Sequence, residues 1–543
     1  MEATLHEEIP PGSEDDLLER DENDANYTIE GARGGSTGSS ESDVFDEHEP
    51  STEADSRPGT KRRKPQEKEK QKKKEKWQWV KKDLVSPIEL PSLLVPKGRA
   101  LRGETPLTMF KAVFDNEPIH LMTFESKRYR LCNRTKMKPI THNEMEVFLG
   151  MCRYMSVVHV PHRRWYWSPS TRQDTIANAV TLNRWEEILS VLHLSDPALE
   201  KKSTDPGFDR LQKVRPTVNM LNLSFSSLAE AEKCQAVDEL IITFKGGHFL
   251  KVYMAKKPTK WGYKVWVRAG QTGYVHKREL HGDNLKSDPT DAPPAIGESG
   301  LIVIRVTTDV PVGTYLFFNN FFVSPPLLAY LKQRGLHSTC TMRKDRAAQC
   351  PLQSEKDLKA QGRGSYDYRV DRENGIIVCE WYDNRLVIMG SNVHGVEPLV
   401  KVKRFDRKRK EHIEVDCPAL IRSYNQNMGG VDKCDMLLSF YRMHFKTKKW
   451  YKRVIFHLTD VAVVNAWLLY RRIIPDCNIQ LGMFKLTLAR GLIQAEAASV
   501  LESDPVVEDL QAPARSTQNR SFPVKASSVS QDVRYDRVSY FPW

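Results

Sequence analysis

The stretch Tyr424–Met436, YNQNMGGVDKCDM, constrains this chain more than any other, and it runs through Leu437–Tyr441 into the basic segment Lys446–Arg453. Gly429 and Gly430 permit a tight backbone turn at no steric cost, and apolar residues at helical spacing follow. Asp432 and Asp435 are three apart, so a helix sets both carboxylates on one face near its start. The positive end of the helix dipole favours negative charge there, which also suits carboxylates held ready for a cation. Taken alone, the stretch is better served by a plainer account, a glycine turn followed by two helix-capping acids. The catalytic account needs further acids delivered by strands elsewhere.

Such strands are present. Gln235–Phe244 reads as a strand carrying Asp238 and continues through Lys245, Gly246 and Gly247. Lys256–Trp266 follows, and Tyr315–Ser324 holds a short aromatic strand ending at Asn319 and Asn320. Over most of residues 88–470 the chain resembles the piggyBac transposase family. The resemblance rests on several motifs in one order: VDE…F.G, KP.K.GYK.W, FF[DN]NFF.S..LL, RGSYDYR, W.DN and YNQ.MGGVD..D. It implies an α/β fold, with an RNase H-like catalytic core, a helical dimerisation and DNA-binding domain wrapped around it, and a β-rich insertion. It also implies a DDE/D mechanism in which Asp238, residue 319 and Asp432 are the three catalytic positions and Asp435 an additional acid.

At the second position the chain departs from the family, because residue 319 is asparagine. Two-metal phosphoryl transfer holds a pair of divalent ions about 3.5–4 Å apart on the attacking and leaving oxygens. Mg²⁺ requires oxygen ligands, carboxylates foremost. Asn319 offers one neutral oxygen and two donor hydrogens, which removes a charge and turns the wrong polarity toward a cation. Asp309, ten residues upstream in a separate segment, gives no reason to act as a substitute. Asp238 and Asp432 are then expected to hold Mg²⁺ or Mn²⁺ weakly if at all, and strand cleavage is in doubt while DNA binding need not be lost.

Composition frames this reading. The chain has 543 residues, enough for two to four domains, and a net charge of +12. Before Arg57 it carries 18 acids against 2 bases, so the acidic arm hides a strongly basic remainder, which points to nucleic acid as partner. No run of about 18 apolar residues is present and no apolar signal core begins the chain, which argues against a membrane or secreted protein. The nine cysteines form no Cys-x-x-Cys pair, so neither zinc nor a disulfide framework is expected.

In order, residues 1–84 read as a disordered arm, acidic and then basic. Lys61, Arg62, Arg63 and Lys64, followed by Lys68–Lys76, suggest a nuclear-import signal; a phosphate-binding arm or a solvated linker also fits. Residues 85–233 are helical by spacing and include Arg163 and Arg164 beside Trp165, a DNA-contacting arrangement or else snorkelling packing. Residues 234–342 hold the first part of the core. Within it Leu301–Val306 is strand-like by propensity, but the family arrangement implies a helix, and tertiary context overrides propensity. Residues 343–419 read as the insertion; Lys401–Lys410 in it either tracks a DNA backbone or is a solvated hairpin.

Residues 420–443 complete the core and 444–500 the helical domain, where Lys446, Lys448, Lys449, Lys452 and Arg453 are expected to contact phosphates. Residues 501–543 form a polar tail without the family's cysteine-rich, zinc-binding end. The expectation is a domesticated, nuclear, DNA-binding homodimer with impaired strand transfer. A working transposase and a regulatory protein reusing the fold are the alternatives.

Overall fold

The structure is a computed structural model that describes residues 77–85, 92–97 and 105–501, except 134–135, 256, 258–259, 285–287, 407–408, 444 and 475–476. The expected import signal at Lys61, Arg62, Arg63 and Lys64, and the expected tail from 502, lie outside the described residues.

Twelve strands are described: β1 Trp79–Val80, β2 Cys234–Thr243, β3 Val252–Tyr253, β4 Trp261–Gly270, β5 Val275–Leu280, β6 Tyr315–Phe318, β7 His337–Thr341, β8 Tyr366–Asp371, β9 Ile376–Tyr382, β10 Leu386–Ser391, β11 Val400–Asp406 and β12 Glu411–Cys417. The first ten form one mixed sheet in the order β1-β8-β9-β10-β7-β6-β2-β4-β3, with β5 also on β4. At its centre β2, β6 and β7 run parallel, while β4 is antiparallel to β2 and β5 to β4. The segment β5-β4-β2-β6-β7 is thus an antiparallel trio continued by two parallel strands, the RNase H-like arrangement implied by the motifs.

Both faces of this sheet are covered. Along β2, Ala236, Leu240 and Ile242 enter one large core with Val265 and Val267 of β4, while Val237 enters a second core on the other face. Helices Gly297–Val306 and Pro325–Gln333 fill the second face. The first of these contains the strand-like run 301–306, which is helical here because Ile302, Val303, Ile304 and Val306 are buried against the sheet. The second starts cleanly: Leu327 donates its N–H to the Ser324 hydroxyl at 3.4 Å, and Pro325 occupies the first helical position.

The first face carries the helical layer. Helix His142–Val157 opens on a capping box, in which the Glu144 N–H donates to Thr141 Oγ1 and the Thr141 N–H to the Glu144 carboxylate. Arg153 of that helix forms a buried ion pair with Asp460 of the long helix Trp450–Ile473. Segments more than 300 residues apart in sequence are joined in this way.

One expected boundary needs correction. Residues 77–84 are not part of a structureless arm: Trp79–Val80 adds a strand to β8, because Trp77 and Trp79 pack against the second core. Residues 343–419 are β-rich, as expected of the insertion, and they extend the central sheet. Strands β8, β9 and β10 continue the central sheet through β7, and the hairpin β11–β12 forms its own two-stranded sheet.

Candidate functional site

The site is built where β2 and β6 lie side by side. Val237 pairs with Phe318, so Asp238 and Asn319 come next on two parallel neighbours and are brought together by register. The Asn319 Nδ2 donates to Asp238 Oδ1 at 2.9 Å. The orientation of the amide is fixed from its other side, where the Phe321 N–H donates to Asn319 Oδ1 at 2.9 Å. Asp238 Oδ1 also accepts the Glu239 N–H at 2.8 Å.

Helix Gly430–Ser439 brings Asp432 and Asp435 across the same face. The glycine pair acts by close approach, since neither Gly429 nor Gly430 has a positive φ. A Cβ on Gly430 would lie 2.4 Å from the Gly270 carbonyl oxygen at the end of β4, so only glycine lets the helix sit this close to the sheet. Val431, Cys434, Leu437 and Leu438 bury the opposite side, and Asp432 and Asp435 are left exposed. Asp432 stands in the first turn; Asp435 lies 3.8 Å from Arg442.

The charges interact. Burial foremost, then the neighbouring Glu239 and Asp432 carboxylates, pushes Asp238 up to about 7, against the pull of the Glu239 N–H and Lys257. Asp435, whose side chain is about half exposed, is also raised, by the part of it that is buried and by Asp432, although Arg442 and Lys257 oppose them. Lys257, a residue passed over within the KP.K.GYK motif, sits 3.8 Å from Glu239 and is a cation of this cluster, as is Lys264 at 4.0 Å. Tyr424, of the YNQ motif, is held protonated above its usual range by burial and by the charges of Asp238 and Asp432. Lys257 and Tyr424 belong to the site and both stood in quoted motifs. What sequence lacked was a reason to separate them from the scaffold.

The basic residues divide. Lys446 and Lys448 are exposed, and Lys449 lies over the Tyr129 ring at 5.3 Å. Lys452 and Arg453, expected on phosphates, turn inward. Lys452 is buried and donates to the Leu189 and Ser190 carbonyls, the latter at 3.2 Å, while Arg453 donates to the Thr243 carbonyl at 2.8 Å. Arg163 and Arg164 share the carboxylate of Glu186 at 3.1 and 3.4 Å, and Arg163 also lies over Trp185, which favours the packing account. In the hairpin, Lys401 pairs with Asp416 at 2.6 Å, Arg404 with Asp383 at 3.0 Å and Arg409 with Glu411 at 3.9 Å, so part of its basic run is compensated.

Topology and site together define an RNase H-like fold in which Asp238, Asn319 and Asp432, the positions singled out by the motifs, lie on one face of the sheet. A family model described as Transposase IS4 matches residues 105–467. The human PiggyBac transposable element-derived protein 3 is 33% identical over 401 residues, which are 72% of this chain and 66% of that protein. The human PiggyBac transposable element-derived protein 2 is 30% identical over 399 residues, with the same two shares. The chain therefore spans slightly under two thirds of the length of these relatives. Among solved structures, the piggyBac transposase in its synaptic complex with hairpin DNA superposes with a TM-score of 0.62 at 18% identity, covering 76% of this chain and 85% of that one. The chain belongs to the piggyBac-type DDE transposase family.

Enzymes of this family generally work with divalent metal, and the donor set here does not fit a two-metal centre. The position between the two strands presents an N–H where a cation needs an oxygen, and that N–H already occupies Asp238 Oδ1. Among the described residues no group of three or more His, Cys, Asp or Glu side chains is placed to hold a metal ion.

Proposed function

We propose that this chain is a transposase-derived, nuclear DNA-binding protein whose strand-transfer chemistry is lost or impaired at residue 319, and that it works as a homodimer. The observation that carries this reading is the 2.9 Å hydrogen bond from Asn319 to Asp238, which satisfies with a neutral amide the carboxylate that metal would otherwise satisfy. DNA as partner is supported by the basic balance of the chain outside its acidic arm, by exposed Lys446 and Lys448 ahead of helix Trp450–Ile473, and by the DNA in the complex of its structural neighbour. Import is assigned to Lys61, Arg62, Arg63 and Lys64; deleting them from a fluorescent fusion should leave it cytoplasmic.

The decisive experiment incubates purified protein with a matched transposon end in Mg²⁺ and in Mn²⁺. Wild type should not nick above background, and Asp238→Ala should change nothing. Asn319→Asp should bind Mn²⁺ more tightly by calorimetry, since it adds a charged oxygen beside Asp238. Cleavage by wild type in Mg²⁺, abolished by Asp238→Ala, would overturn the reading and return the chain to the active transposases.

A further inference from the structure

A second feature shares the sheet face of Asp238 and is not used by the chemistry above. Asp238 lies opposite Val267 on β4, and six residues away along that strand the Phe244 N–H bonds the Trp261 carbonyl. Positions an even number apart point to the same face, so Trp261 is on the side of Asp238, roughly 20 Å away toward the C-terminal end of β2. Trp261 opens β4 and pairs with Tyr253 of β3. Their rings are 4.7 Å apart, and they are 46% and 52% exposed. Phe249, just before β3, is 64% exposed.

As a cross-strand pair the two rings support the sheet edge, yet about half of each remains open to solvent. The charge around them selects what could cover them. Lys251 lies 4.6 Å from the Trp261 ring centre, and Lys245 and Lys260, at the ends of the two flanking segments, are exposed. An apolar protein surface would have to bury these ammonium groups. An unpaired nucleic-acid strand brings flat bases for the rings and phosphates for the lysines, and stacking tolerates any sequence because every base has a π face. A duplex hides its base faces and would meet the lysines only.

We propose that Tyr253 and Trp261 form a stacking platform for unpaired bases of a DNA strand lying across the site, with Lys245, Lys251 and Lys260 on its phosphates. The proposal rests on the DNA-binding reading above and commits the site to DNA that is locally single-stranded.

The test compares two fluorescent DNAs at one salt concentration, a blunt duplex and the same duplex with a short single-stranded overhang carrying 2-aminopurine. Wild type should bind the overhang form more tightly and quench the 2-aminopurine. Trp261→Ala should lose roughly five- to a hundredfold of affinity for the overhang form, the range typical of one stacked base, and leave the blunt duplex unchanged. Trp261→Phe, which keeps a ring and guards against misfolding as the cause, should keep most of the preference. Equal affinity of wild type for both DNAs, or an equal loss on both in Trp261→Ala, overturns the platform while DNA binding stands. Wild type binding neither DNA overturns the DNA-binding reading and the platform with it.

Discussion

Replacing Asp238 by asparagine should stabilise this protein, by an amount that grows as pH rises above about 4 and is complete near neutral pH. In the folded chain the carboxyl is pushed from its ordinary 3.8 to about 7, first by burial and then by the Glu239 and Asp432 charges. At 1.36 kcal/mol for each tenfold change in proton affinity, that displacement corresponds to about 4 kcal/mol. The sign follows from proton counting: between about pH 4 and 7 the folded state keeps the proton that the unfolded chain has released, so stability falls as pH rises through this window. An asparagine side chain at this position would carry no charge and could still accept the Asn319 and Glu239 N–H groups that meet Oδ1 at 2.9 and 2.8 Å. In EDTA, Asp238→Asn should therefore match wild type at about pH 4 and exceed it by up to about 4 kcal/mol at about pH 8. Denaturant midpoints measured across that range provide the assay. A variant less stable than wild type at the alkaline end, or a gain that is the same at both ends, would refute the account of Asp238 as an acid whose burial outweighs its hydrogen bonds.

Gly430→Ala should be destabilising by about 3 kcal/mol or more, because its Cβ meets a backbone oxygen that cannot move aside, whereas Gly429→Ala, with nothing within 4 Å of its Cβ, should be nearly neutral in a thermal melt. Lys452→Ala should cost about 2 kcal/mol by stranding the Leu189 and Ser190 carbonyls, yet leave the salt dependence of DNA binding unchanged. The double variant Lys446→Ala, Lys448→Ala should act on binding instead, lowering the slope of log affinity against log salt by about 0.9 per contact.

The two strands and the helix of the site were legible because their residues sit in ordered motifs whose chemistry demands particular side chains. Asp238 and residue 319 are adjacent by parallel register, which the motif order implied. Lys452 and Arg453 were misread for a physical reason. A cation inside a basic run looks solvated, and only the packed structure shows which one faces in. Helix Leu182–Val191 ends beside the start of helix Trp450–Ile473, and its last carbonyls need donors. Lys452 supplies them, and burial lowers it to about 7. The extent of the sheet was hidden for a related reason: β8, β9 and β10 carry no catalytic motif, and their pairing with β7 across an intervening segment leaves no mark at short range.

The glycine pair shows how a correct location can carry the wrong cause. Flexibility at a turn would have made Gly429 and Gly430 equivalent, and the structure makes them different. Gly429 is open to solvent, while Gly430 lies against the carbonyl of Gly270, where β4 ends. That contact sets the height of the helix above the sheet, and with it the reach of Asp432 toward Asp238. Close packing thus delivers the helix acid to the strand pair, and an amide at residue 319 does not loosen that scaffold, because Asn319 is hydrogen-bonded on both sides.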